Sequence, residues 1–169
     1  MKKIYVALDN VRSLENVGAI MRTCSFFGIK NLVLIGYSGT RVNFKGGRVL
    51  HESIKKTALG AEKDLNIKIF EGSDEFFEFV SKMDLELISV EQDSKCIKLH
   101  KFSLEISAPY NGKPQPKRDT IFVFGNELEG VSKEIINKSS KVLEIQRMGN
   151  KSSLNVATAV GIVLYAITV

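Results

Sequence analysis

The chain has 169 residues, 44% hydrophobic and 25% charged, enough for one sizeable core and too few for two ordinary domains, so a single domain over residues 1–169 is expected. No window approaches the roughly 18 to 20 uninterrupted apolar residues of a membrane helix. At the N-terminus Asp9 and Asn10 stand where a signal peptide would continue its apolar core, so no membrane partner and a cytoplasmic location are expected. The net charge of +5 is uneven, +7 over residues 1–60 and −5 over residues 61–90; a basic first third suits a polyanionic partner, although a solvated basic face gives the same arithmetic.

Ile4, Val6 and Leu8 alternate with Tyr5 and Ala7, which predicts a first strand. Val17, Ile20, Met21, Cys24 and Phe27 then recur at three- and four-residue spacing, the period of an amphipathic helix. Residues 30–35 read as a second strand, 47–61 as a weak helix, 67–70 as a strand, 74–83 as a weak helix and 85–90 as a strand. Residues 107–118 hold all three prolines, Pro109, Pro114 and Pro116, with Gly112, Lys113, Lys117 and Arg118; this is a loop, more readily a surface connection than a lid. The continuous apolar run of Phe122, Val123 and Phe124 marks residues 120–124 as a strand buried on both faces. A weak helix over 132–139, a strand over 142–145 and a helix bearing Val156, Ala159, Val160, Val163, Leu164 and Ile167 complete the chain. Alternating strands and helices predict an α/β fold with a mostly parallel sheet flanked by helices on both faces. Cys24 and Cys96 lie far apart in apolar surroundings and read as reduced, buried thiols, and with only His51 and His100 no metal site is expected.

No GxxxxGK[ST] phosphate loop, GxGxxG turn, GxSxG elbow or paired-histidine motif is present, which lowers ATPase, dehydrogenase and serine hydrolase readings. Polar clusters fall instead where a parallel sheet places its ligands, after the carboxyl ends of strands. The first runs from Asn16 to Arg22, with Asn16 suited to a helix N-cap and Gly18 and Arg22 one turn apart, read as facing away from the apolar stripe and leaving room for a ligand or partner. The second is Phe124-Gly125-Asn126-Glu127-Leu128-Glu129-Gly130, at the mouth of the most apolar strand. The third spans residues 145–156, with Ser153 near the start of the final helix. Each alone is a weak signal: a capped helix accounts for the first and the third, while a plain turn accounts for Gly130 of the second but not for Asn126 and Glu127 at the strand mouth.

Together, the N-x-G-x-x-x-R pattern at Asn16, Gly18 and Arg22, the FGxExxG pattern from Phe124 to Gly130 and the SLNV pattern from Ser153 to Val156 resemble the three ordered motifs of the SPOUT superfamily, in its SpoU/TrmH-like branch. Thr57-Ala58-Leu59-Gly60-Ala61-Glu62 and Ser89-Val90-Glu91-Gln92 extend the likeness along nearly the whole chain. The chain departs from the branch's pattern at Gln146-Arg147, where Pro-Met is common, and at Asn126, where proline is frequent.

The resemblance implies a C-terminal trefoil knot, otherwise almost absent from proteins, that holds S-adenosylmethionine through main-chain groups at Val90, Gly125, Ile145, Ser153 and Leu154. It also implies methylation of an RNA ribose 2′-hydroxyl. Arg22 inherits the role of assisting deprotonation or, since a guanidinium holds its proton far above neutrality, of orienting the adjacent phosphate. Asn16, Glu127, Ser153 and Asn155 complete the implied catalytic set. A homodimer is implied in which the first helix of one subunit approaches the cofactor pocket of the other, with Gly18 and the final helix suited to the contact. No separate RNA-binding extension is recognised, so Arg41, Lys45, Arg48, Lys55 and Lys56, then Lys113, Lys117 and Arg118, are the candidate RNA contacts, with transfer RNA ahead of ribosomal RNA and no DNA partner. Two alternatives stand beside this reading: a catalytically idle knotted dimer that binds RNA as an assembly factor, and a related enzyme methylating a base nitrogen.

Overall fold

The computed structural model describes residues 2–92, 96–105 and 118–169. In chain order its elements are β1 (Ile4–Asp9), α1 (Leu14–Phe26), β2 (Asn31–Ile35), β3 (Thr40–Val42), β4 (Arg48–Leu50), α2 (Ile54–Ala58), a 3₁₀ turn at Ala61–Asp64, β5 (Asn66–Phe70), α3 (Ser73–Lys82), β6 (Glu86–Val90), β7 (Ile97–Lys98), α4 (Leu99–Glu105), β8 (Thr120–Gly125), α5 (Lys133–Lys138), β9 (Lys141–Glu144) and α6 (Val156–Thr168). Seven strands form one sheet in the order β5-β2-β1-β8-β6-β9-β7, every neighbouring pair parallel. The α/β architecture with a parallel sheet between helices is therefore as expected.

Parity along the strands builds two cores. On β1, Ile4, Val6 and Leu8 join α1, α2, α4 and α6 on one face, while Tyr5 and Ala7 join α3 and α5 on the other. Every residue of β1 and β8 is buried, which is why these two strands, at the middle of the sheet, are the most continuously apolar. Asp9 is the one charged residue in the pair: it closes β1 at 2% exposure, where its carboxylate accepts the Ser132 N–H at 2.8 Å and the Asn10 side-chain amide at 3.0 Å. That pairing makes a buried carboxylate tolerable and ties the β8–α5 connection to the end of β1.

The structure corrects several readings. Residues 47–61 do not form one helix: β4 pairs antiparallel with β3 in a hairpin, and only Ile54–Ala58 is α-helical. The turn chemistry of Asn43, Gly46 and Gly47 wins there, with Gly46 at φ 84°. Strand β7 and helix α4 were not expected, and of residues 107–118 only Arg118 lies among the described residues, so Lys113, Lys117 and the lid question fall outside them. Cys24 is buried, which pushes its thiol up to about 12. Cys96 is only half-buried and donates to Glu144 Oε2 at 2.6 Å beside Lys98, so its surroundings are ionic rather than apolar.

Gly18 is not on the open face of α1. It is buried, and a Cβ there would lie 2.0 Å from Thr57 Oγ1 and 2.9 Å from the Ala58 nitrogen, so the space it leaves is filled by α2 of the same chain rather than by a ligand or a second subunit. Gly18→Ala gains up to about 1 kcal/mol of helix propensity but forces α1 and α2 apart, an overpacking cost of about 1–3 kcal/mol. Urea unfolding is expected to show a net loss of about 1 kcal/mol, partly recovered in the double variant with Thr57→Gly; strictly additive losses would show that Thr57 is not the obstacle.

Candidate functional site

A parallel sheet sends its polar loops to one edge, and here the loops after β1, β8 and β9 meet through a chain of hydrogen bonds. Glu127, after β8, accepts the backbone N–H of Arg12 at 3.1 Å and of Ser13 at 3.2 Å, together with the Asn16 side-chain amide at 2.8 Å. Asn16 Oδ1 in turn accepts from Asn155 Nδ2 at 2.9 Å, and Asn155 Oδ1 accepts the Ala157 and Thr158 N–H groups at 2.8 and 3.3 Å. Three of the residues singled out by motif are thus linked through Asn16, by two bonds that span 111 and 139 positions of the chain.

The caps explain how this is possible. Asn16 is not the N-cap of α1: Ser13 is, accepting the Asn16 N–H at 3.1 Å, which leaves the Asn16 side chain free to bridge. Asn155, rather than Ser153, caps α6. One amide therefore ends a helix with its oxygen and reaches the Glu127–Asn16 pair with its nitrogen.

Beside this chain lies a cavity of about 560 Å³ whose walls are the ends of β6, β8 and β9 and the residues leading into α6. All five expected cofactor residues, Val90, Gly125, Ile145, Ser153 and Leu154, line it, and so does Glu127. Its volume lies within the ~300–1,000 Å³ of small-molecule sites. Gly125 is required by a close approach: a Cβ there would lie 1.9 Å from the Gly130 carbonyl carbon. Asn126 accepts the Leu128 and Glu129 N–H groups, both at 2.8 Å, and so shapes the turn that brings Gly130 back.

Arg22 is exposed on α1, about 9 Å along the helix axis beyond Asn16, and its side chain makes no hydrogen bond or ion pair with another described residue. It does not line the cavity of its own chain. Among the basic candidates, Arg41 pairs with Glu52 at 2.8 Å and Arg48 donates to Thr40 Oγ1 at 3.2 Å, while Lys45, Lys55 and Lys56 are exposed. Arg118 is misplaced for a contact at this site: it precedes β8 at the opposite edge of the sheet, about 20 Å away along the strand, and lies 4.0 Å from Glu86 at the start of β6.

Sequence reasoning gave four residues of the site no role: Glu91 and Gln92, which entered only as part of the likeness, and Arg12 and Tyr37. Glu91 Oε2 accepts the Val131 N–H at 3.0 Å and occupies the space a Cβ on Gly130 would need, and Gln92 Nε2 donates to the Ser152 carbonyl at 2.9 Å, lacing two walls of the cavity together. Arg12 lies with its guanidinium carbon 5.9 Å from the Tyr37 ring centre and its Nε 3.4 Å from the Tyr37 hydroxyl. The position of Glu91 and Gln92 after buried β6 was a usable signal, since it obeys the same strand-end rule as the other clusters.

Burial alone pushes Glu127 up, but the hydrogen bonds from Asn16 and from the Arg12 and Ser13 backbone outweigh it and hold the carboxyl below its ordinary value. Among the described residues no group of three or more His, Cys, Asp or Glu side chains is placed to hold a metal ion, and no helix is long and apolar enough to cross a membrane.

Comparison with known proteins gives this geometry its context. A model of the SpoU rRNA Methylase family matches residues 3–165. The tRNA (guanosine(18)-2'-O)-methyltransferase of Aquifex aeolicus is 30% identical over 97% of this chain and 68% of its own length. The 23S rRNA (adenosine(1067)-2'-O)-methyltransferase of Streptomyces azureus is 26% identical over 95% of this chain and 52% of its own. The solved structure of the SpoU methyltransferase AviRb from Streptomyces viridochromogenes in complex with AdoMet superposes with a TM-score of 0.78 at 21% identity, over 99% of this chain and 60% of that one. The last likeness establishes the fold.

Because hydrogen bonding lowers the Glu127 pKa in the folded state, its stabilising contribution is complete above the ordinary carboxylate range, near pH 4.3, and is lost as pH falls through the lower folded value. Glu127→Gln is expected to cost about 1 kcal/mol at pH 7, after allowance for solvent screening. In urea titrations the gap between variant and wild type should narrow progressively as pH falls below the ordinary carboxylate value, about 4.3; a gap independent of pH would show that charge on Glu127 contributes nothing.

Proposed function

Since the chain belongs to the SpoU rRNA Methylase family, we propose that it is an S-adenosylmethionine-dependent RNA methyltransferase acting on a ribose 2′-hydroxyl. The observation that carries this reading is the cavity at the strand ends, joined through Glu127 to Asn16 and Asn155. The lining suits the cofactor: Val90, Ile145 and Leu154 offer apolar contact for an adenine, and Glu91, Glu127 and Glu129 offer negative charge to a sulfonium and an amino group. When bound, S-adenosylmethionine supplies an electrophilic methyl group.

The chain's own residues supply alignment and proton handling. Main-chain groups of Val90, Gly125, Ile145, Ser153 and Leu154 would hold the cofactor, and Glu127, Asn16 and Asn155 keep the two helix starts in fixed relation at the reacting edge. Arg22 receives the target nucleotide, either assisting loss of the 2′-hydroxyl proton, which only its neutral form could accept, or gripping the adjacent phosphate as the guanidinium. Loss of turnover at unchanged KM assigns it to the proton, and a raised KM to the phosphate.

The same reading includes a C-terminal trefoil knot, a homodimer, a cytoplasmic location, and transfer RNA ahead of ribosomal RNA as substrate. The sheet order β8-β6-β9 and the Gln92–Ser152 bond, which lashes the loop after β6 to the loop before α6, support the knot. A stripe of exposed apolar residues, Ile162 and Tyr165 on α6 and Val169 just after it, with Phe26 on α1, supports a covered two-fold face. The relatives' names include both RNA classes.

The test is transfer of a labelled methyl group from S-adenosylmethionine to small RNA and to ribosomal RNA, followed by nucleoside analysis. The expected product is a 2′-O-methylnucleoside, formed at least about a hundredfold more slowly by Arg22→Ala. Label in a base would make it a base-nitrogen methyltransferase. No label together with no cofactor binding would make it an RNA-binding dimer without catalysis.

A further inference from the structure

The β3–β4 hairpin presents an aromatic side chain that the fold does not use. Phe44, at its tip, is 100% exposed, and Val42 on the same hairpin is 58% exposed. A plain turn gains nothing from a benzyl group in water, since its burial is what would stabilise it. Nor is the turn slack. Asn43 Oδ1 accepts the Lys45 and Gly47 N–H groups at 2.9 and 3.2 Å, the Asn43 N–H donates to the Gly47 carbonyl at 2.9 Å, and the Gly46 N–H donates to the Asn43 carbonyl at 3.0 Å. The backbone on both sides of Phe44 is thereby fixed, so little conformational freedom remains to be lost when something packs on the ring.

The surroundings of Phe44 indicate what packs there. Residues 40–60 contain Arg41, Lys45, Arg48, Lys55 and Lys56 against Glu52 as their one acid, and Glu52 is occupied by Arg41. Arg48 pairs across the hairpin with Val42 and so shares its face. The base of the hairpin is joined to the loop that approaches Glu127: Ser38 Oγ donates to the Leu8 carbonyl at 2.8 Å and accepts the Val11 N–H at 2.9 Å. The hairpin thus rises from the same edge of the sheet as the site.

We propose that Phe44 is a stacking platform for an unpaired base of the RNA substrate, with Lys45 and Arg48 neutralising the phosphates beside it. The inference rests on the RNA methyltransferase reading and narrows the substrate to RNA with an exposed single-stranded loop near the modified ribose. A duplex hides its base faces, whereas an unpaired base offers a π surface to an aromatic ring whatever its identity. An apolar protein pocket would suit the ring but not the cations around it.

The chain contains no tryptophan, so Phe44→Trp places a single reporter at the tip. Its emission is expected to be quenched by a stem-loop RNA with an unpaired loop and not by a fully paired duplex of equal length. Phe44→Ala should weaken binding of the stem-loop about tenfold with affinity for S-adenosylmethionine unchanged, and Phe44→Tyr should restore it. Wild-type affinity in Phe44→Ala with no quenching of Phe44→Trp would overturn the proposal while leaving the methyltransferase reading intact. Quenching that grows with protein concentration in the absence of RNA would assign the tip to a second copy and also overturn it. If the wild type binds neither RNA, the RNA reading fails, and this proposal with it.

Discussion

The arrangement of the site depends on one carboxylate. Glu127 accepts two backbone N–H groups from the start of the first helix and one side-chain amide from Asn16, which is itself held by the residue capping the last helix. A charge-assisted bond of this kind has roughly twice the strength of a neutral one. Here three of them converge on a group with substantial exposure, so their effect is less a matter of stability than of position. They set where the first turn of α1 stands relative to the loop after β8, and Asn155 carries that setting on to α6.

The cavity follows from the same economy of backbone. Its narrowest constraint is the approach of Gly125 to Gly130, which leaves no space for a side chain at Gly125, and the Glu91 carboxylate fills what a side chain at Gly130 would need. Asn126, where the family pattern often has proline, produces the turn by accepting two N–H groups, so the departure changes the means of forming the turn and not its existence. Because strand ends supply free main-chain groups and apolar walls together, such a cavity can take a nucleoside-like ligand without a phosphate-binding loop.

Charge is divided between different parts of one edge. Carboxylates gather at the cavity, and cations gather on the hairpin and α2, the two regions meeting where Arg12 lies against Tyr37. Arg22 stands apart from both on the outer face of α1, consistent with service to something outside its own chain. Gly18, one turn before it, belongs to the packing of α1 on α2, so the open face of that helix is defined by Arg22 and Phe26.

Alternation of apolar runs with helical periods was sufficient to read the α/β class, the buried strand β8 and the three polar clusters, because each is a local property of a few consecutive residues. The five residues that the resemblance assigned to the cofactor line one cavity, and the resemblance itself was legible because strand-end glycines and the SLNV run sit at recognisable spacing. What required the tertiary structure were properties set by partners distant in the chain. Gly18 is small because Thr57 lies against it, Asn16 is a bridge because Ser13 already caps its helix, and Arg118 belongs to the far edge because β8 runs away from it. The hairpin was hidden for a further reason: the helical spacing of Ile54 and Ala58 extended the apparent period backwards over Gly46 and Gly47, whose backbone preferences decide the turn. Sequence periodicity determines which face of an element is apolar. Only packing determines what covers that face, and which polar side chains are left free to act.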